Sequence, residues 1–192
     1  MIDSAIKHLA AQLDQFLKST LSTSENIVVV SNLVDSAGNP IADVNNKVAM
    51  FLCGLERDTV AMRAGDGNTG RSFASGAPVF LNLYVMVAAN FGGATYPEAL
   101  RFLSAAIGFF QRQPVFDRVS TPDLDPGIER LVLDMENLKP HESSNIWSLL
   151  GAKYIPSVLY RVRMVSIDGV AIRGRQPAIV DPTAAIASNS EN

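Results

Sequence analysis

The stretch that most limits how this chain can fold is PVFLNLYVMVAANF, residues 78–91. Read as a strand, it places Val79, Leu81, Leu83, Val85 and Val87 on one face and Phe80, Tyr84 and Met86 on the other. Successive strand side chains point to opposite faces, so a strand that is apolar on both has to be covered on both. In a small domain with one layer of helices, the second face needs another element or another subunit. The segment EALRFLSAAIGFFQRQ repeats the message as a helix. Leu100, Leu103, Ile107 and Phe110 form one stripe, and Ala99, Phe102, Ala106 and Phe109 form a second. One residue step turns a helix by about 100°, so the joint apolar arc is wide and implies deep burial or packing on two sides. Phe102 and Phe109 are the expected contacts between subunits on the second stripe.

The remaining segments fill in around these two. Ile2, Ile6, Leu9, Leu13 and Phe16 recur at spacings of four and three, which predicts an amphipathic helix from the first residues, ended by STSEN. IVVVSNLV (27–34) reads as a strand, DSAGNP (35–40) as a turn, and KVAMFLCGLER (47–57) as a longer strand. Residues 58–77, rich in Gly and Ser, read as a flexible hairpin insertion. Thr95 and Glu98 suit a capping box at the head of the wide helix, with Pro97 in its first turn. PVF (114–116) starts a short strand, and the alternation of Ile128, Leu131, Leu133 and Met135 fits a strand, with a helix as the alternative. HESSNIWSLLG is a short helix closed by Gly151. In AKYIPSVLYRVRM, Val158, Tyr160, Val162 and Met164 alternate with Leu159, Arg161 and Arg163, a strand with one apolar face and one bearing two cations. SIDGV (166–170) supplies a hairpin turn, and residues 169–192 read as an extended arm with a disordered end. There are no internal repeats. The expected fold class is a single α+β domain over residues 1–168, an antiparallel or mixed sheet flanked by helices.

Charge and chemistry narrow the function. Apolar residues make up 47% of the 192 and charged residues 18%, below the usual quarter, which leans toward oligomerisation. The net charge of −3 comes with no basic run, so a nucleic-acid partner is not expected. No signal peptide pattern or membrane span is visible, so assembly is expected in the cytoplasm unless a larger particle carries the protein out. Cys53 stands alone in an apolar strand and reads as a small buried hydrophobe. His8 and His141 have no Cys or His at ligand spacing and read as exposed surface histidines. GDGNTG (65–70) lacks the Lys-Ser/Thr pair of a phosphate loop. Asp123 and Asp125 fall short of a calcium loop and suit the turn around Pro122 and Pro126. Trp147 reads as core. No enzyme, metal or cofactor is expected.

Several stretches together resemble one family. MIDSAIKHLAAQLDQFL, VVVSNLVDSAG, PVFLNLYVMVAANF, YPEALRFLSAAIGFFQRQPVF, TPDLDPGIERLVLDMENL and NIWSLLGAKYIPSVLYRVRMV are similar to the N-terminal domain of cap, or tail-terminator, proteins of phage-tail-like contractile injection systems. The antifeeding prophage and the Photorhabdus virulence cassette are the reference members. The resemblance spans residues 1–168 and implies a homohexameric ring at the baseplate-distal tail end, with sheath and inner-tube proteins as partners and a place in a released or cell-associated particle. On that reading Arg161 and Arg163, and Arg173 and Arg175 beyond them, pair with acidic groups of a neighbouring ring. The alternatives are a peptide-binding adaptor that forms no ring and an intracellular enzyme using Asp123, Asp125 or Cys53.

Overall fold

The computed structural model describes residues 1–22, 24–58 and 79–166. The expected hairpin insertion at 58–77, apart from Asp58, the Asp-Gly turn beyond Ser166 and the C-terminal arm lie outside the described residues.

Helix α1, Ile2–Leu21, buries Ala5, Ile6, Leu9, Leu13 and Leu17 along the side that the sequence periodicity marks. It stops at Ser22, whose φ of 53° is left-handed. Strand β1, Val28–Val30, follows. It is shorter than the strand expected over 27–34, and the expected turn follows, with Asp35 accepting hydrogen bonds from the Ala37 and Asn39 amides at 2.9 and 2.8 Å. Strands β2, Lys47–Arg57, and β3, Val79–Asn90, agree with the apolar runs that predicted them.

Helix α2, Tyr96–Arg112, opens with Pro97 in its first turn. The expected capping box is not made, because Thr95 Oγ1 donates to the Gly92 carbonyl at 2.9 Å instead of accepting from the helix. Strands β4, Val115–Asp117, and β5, Ile128–Met135, precede helix α3, Pro140–Leu150. Gly151, at φ 65°, ends α3 in the left-handed conformation that glycine adopts without steric cost. Strand β6, Ser157–Ser166, closes the fold.

The strands form one mixed sheet in the order β1-β2-β3-β6-β5-β4. The β1–β2 pair is parallel and the others are antiparallel. The long central strands β3 and β6 are therefore paired on both edges. On the first face α1 and α2 pack over Val48, Met50, Leu83, Val85, Val87, Leu131 and Val162. On the second face Trp147 of α3 and Val44 lie against Ala49, Phe51, Met86, Ala88 and Leu159. The second cover that β3 demands is thus supplied, over half its length, by this chain's own helix.

Two expectations reverse. Ala99, Ala106 and Phe109 of the second stripe meet the core together with Phe110 of the first, while Leu100 remains 45% exposed. Phe109 stacks on Phe16 of α1 at 4.9 Å, and Phe102, half-buried, stacks on Phe91 at 4.9 Å. His8, expected at the surface, is buried. Phe109 is buried by α1 packing beside α2, and His8 is buried because α1 also lies against Phe116 of β4.

Asp14 ties α1 to the sheet. Its Oδ1 accepts from the Ile27 and Val28 amides at 2.7 and 2.9 Å, and Lys18 lies 2.8 Å from Oδ2. Burial alone would raise this carboxyl's pKa, but Lys18 and the two amides outweigh it and hold the group below its ordinary value. Asp14→Ala removes that acceptor and is expected to cost about 1–3 kcal/mol in urea unfolding. The carboxylate's contribution is present above the unfolded pKa, near 4, and disappears as pH falls through the lower folded value. The gap between wild type and variant should therefore close in acid.

Candidate functional site: a charged sheet face

Beyond α3 the second face of the sheet turns polar. Strand register places Tyr84, Arg161 and Asp134 in one row across β3, β6 and β5, and Asn82 beside Arg163 in the next. Arg163 Nη2 donates to Asp134 Oδ2 at 3.0 Å. Arg161 approaches the same oxygen at 3.8 Å and sets its Nε 3.2 Å from Glu136 Oε1, an ion pair whose geometry is not that of a hydrogen bond. On the other side Tyr84 donates its hydroxyl to Glu56 at 2.9 Å. Burial, and then this bond to Glu56, push the phenol's pKa up.

The two arginines flagged by the sequence thus sit together on one face, and the fold supplies their acids. Sequence alone does not single out Asp134, Glu136 or Glu56, and places Tyr84 only on the second face of β3. The available signal was Arg130, Val132, Asp134 and Glu136 at alternate positions of 128–138, the polar face of a strand. Arg161 and Arg163 keep 37% and 49% of their side-chain surface, and Asp134 keeps 43%, so these groups reach solvent and remain open to a second protein. Exposed pairs of this kind contribute about 0–1 kcal/mol each, so their presence is weak support for the fold and leaves them free to exchange partners. Arg173 and Arg175 lie outside the described residues, as does GDGNTG.

The candidates for chemistry are scattered. Cys53 is half-buried at a β-bulge of β2, and burial pushes its thiol up to about 11, so it stays protonated and weakly nucleophilic at neutral pH. Asp125 accepts the Gly127 amide at 2.8 Å, the turn role expected of it. His141 is exposed on α3 while His8 is buried at α1. Trp147 is core, as expected. A groove of about 620 Å³ beside α3, lined by Pro140, Ser143, Ser144, Ser148, Ala152 and Tyr154 along with Trp147, carries no acid or base. Among the described residues no three potential metal ligands converge, and no helix is long and apolar enough to cross a membrane.

Residues 5–181 match the family model of the Pvc16 N-terminal domain. No curated protein sequence matches the chain. Among solved structures, the chain is similar to the sheath/tube terminator of an extracellular contractile injection system, PVC, in its extended state. That pair is 15% identical with a TM-score of 0.58, covering 100% of this chain and 64% of that one. It is also similar to the tube-terminating cap of the anti-feeding prophage, at 12% identity and a TM-score of 0.52, covering 94% and 59%. The α+β fold is therefore shared with both, and this chain spans less than two thirds of either.

Proposed function

Because the chain belongs to the Pvc16 N-terminal domain family, we propose that it caps the baseplate-distal end of a contractile injection system, binding the last tube and sheath rings and ending their growth. One observation carries this reading. The likeness to two solved terminators covers 100% and 94% of this chain.

The mechanism is geometric. Tube and sheath subunits add head to tail, each ring offering a face equivalent to the one it covers. A cap ring matches one such face and presents no copy of it. A homohexamer suits a sixfold tail, assembled in the cytoplasm and carried in the finished particle. Two features of the sheet fit docking. β1 pairs only with Val48–Met50, so the outer edge of β2 from Phe51 to Arg57 is open to an added strand among the described residues. On the charged face, Arg161 and Arg163 can pair with carboxylates of an adjoining ring as well as with Asp134 and Glu136.

Removing the gene from a particle-producing cell is the test. Tails of irregular length, or particles that fall apart, are expected, with uniform length restored by the gene in trans. Uniform, stable tails without the protein would overturn the terminator role and favour an adaptor that forms no ring.

A further inference from the structure

We infer that the junction between α1 and the β4–β5 connection is a latch released by acid, with His8 as its trigger. His8 is 9% exposed. Its ring stands edge-on to Phe116 of β4, 6.0 Å between centroids and 86° between planes. Nε2 is buried with no hydrogen-bond partner. Phe116 is itself fully buried and packs against Phe109 and Phe110 of α2, so His8 plugs the outer side of an aromatic cluster. Beside it the connection is folded inward, with Thr121 and Leu124 buried and Thr121 donating its amide to the Asp117 carbonyl at 2.8 Å. Ser4, one turn before His8, faces Asp125 of the same connection and helps hold that carboxyl below its ordinary pKa.

The surrounding charges do not neutralise an imidazolium here. Asp123 of the connection is the anion whose field favours protonation, but burial outweighs it and draws the imidazole below its ordinary pKa. On α1 itself Lys7 is turned to Asp3 at 3.4 Å. On β4 Asp117 is engaged by Ser120, with Arg130 of β5 beside it. A proton arriving at Nε2 finds no hydrogen-bond acceptor at that buried atom, so the charged ring is better accommodated when α1 and the connection part and water enters.

The sign follows from linkage. A histidine whose folded pKa is depressed is protonated first in the open state. The closed junction therefore keeps its full stability above about pH 6.5. Below that, opening rises by up to tenfold per pH unit until the folded pKa is reached.

The test is hydrogen exchange on the full chain between pH 5 and 8, corrected for intrinsic rates. Peptides covering residues 1–17 and 114–127 should open about tenfold more at pH 5.5 than at pH 7, while those of β3 and β6 change little. The chain has two histidines, so two variants separate them. His8→Phe keeps the edge-on ring and should abolish the dependence; His141→Gln should leave it intact. Equal protection at both pH values, or a dependence that survives in His8→Phe, overturns the latch. Direct NMR titration of the His8 ring in the unaltered chain stands apart from any folding defect of the variants. A pKa below the ordinary value of about 6.5, with α1 amides shifting in step, supports the latch, and a value at or above it refutes it.

Discussion

Phe109→Ala should cost about 3–5 kcal/mol, the range for deleting a buried aromatic ring and leaving its cavity. Phe109 is 7% exposed and sits where three elements meet, with Phe16 at 4.9 Å, Phe110 at 5.1 Å and Phe116 at 6.2 Å. A domain of this size is held by about 5–15 kcal/mol in total, so the variant is expected to be insoluble or largely unfolded. Leu100→Ser, on the outer stripe of the same helix, should stay within about 0.5 kcal/mol and act instead on assembly. Urea midpoints and the yield of soluble protein separate the two. A soluble, folded Phe109→Ala protein that fails to form rings would return Phe109 to the subunit interface and refute its core role.

The second large effect concerns the charged face. Reversing Arg161 and Arg163 to Glu places two new carboxylates beside Asp134 and Glu136, with Glu56 on the far side of Tyr84. Each lost pair removes about 0.2–1 kcal/mol, and like charges facing each other across a sheet add a penalty of similar size. The double variant should therefore lose about 1–3 kcal/mol, less in high salt because the groups are solvent-exposed. It should also cap tails poorly, since like charges across an interface oppose docking. Adding Asp134→Lys and Glu136→Lys restores opposite signs within the sheet. If this fourfold variant recovers its melting temperature but not its capping, the arginines meet a neighbouring ring. If capping returns with stability, their role lies within the domain and the contact proposal fails.

These two cases mark where sequence reading was strong and where it stopped. The extents of β2, β3 and β6 were legible because strand alternation is a property of the chain itself: an apolar residue at every second position defines a face whatever lies nearby. The requirement that β3 be covered twice was legible for the same reason. The helix-ending Gly151 was legible because a left-handed residue is a local demand.

What covers the second face was not. Trp147 lies almost 60 residues from the β3 residues beneath it, and nothing local to either segment says that they meet. Which residues of the wide apolar arc of α2 face inward was equally closed, because both stripes are apolar and the neighbouring elements decide that Phe109 and Phe110 are core while Leu100 is exposed. The candidate site shows the same division. Sequence alone established that Arg161 and Arg163 share a face of one strand. Only the strand order, which sets β5 beside β6 and brings Asp134 within 3.0 Å of Arg163, decided that those cations have partners in the same chain. Periodicity along a strand is written in consecutive residues, whereas adjacency between strands depends on how the whole core packs.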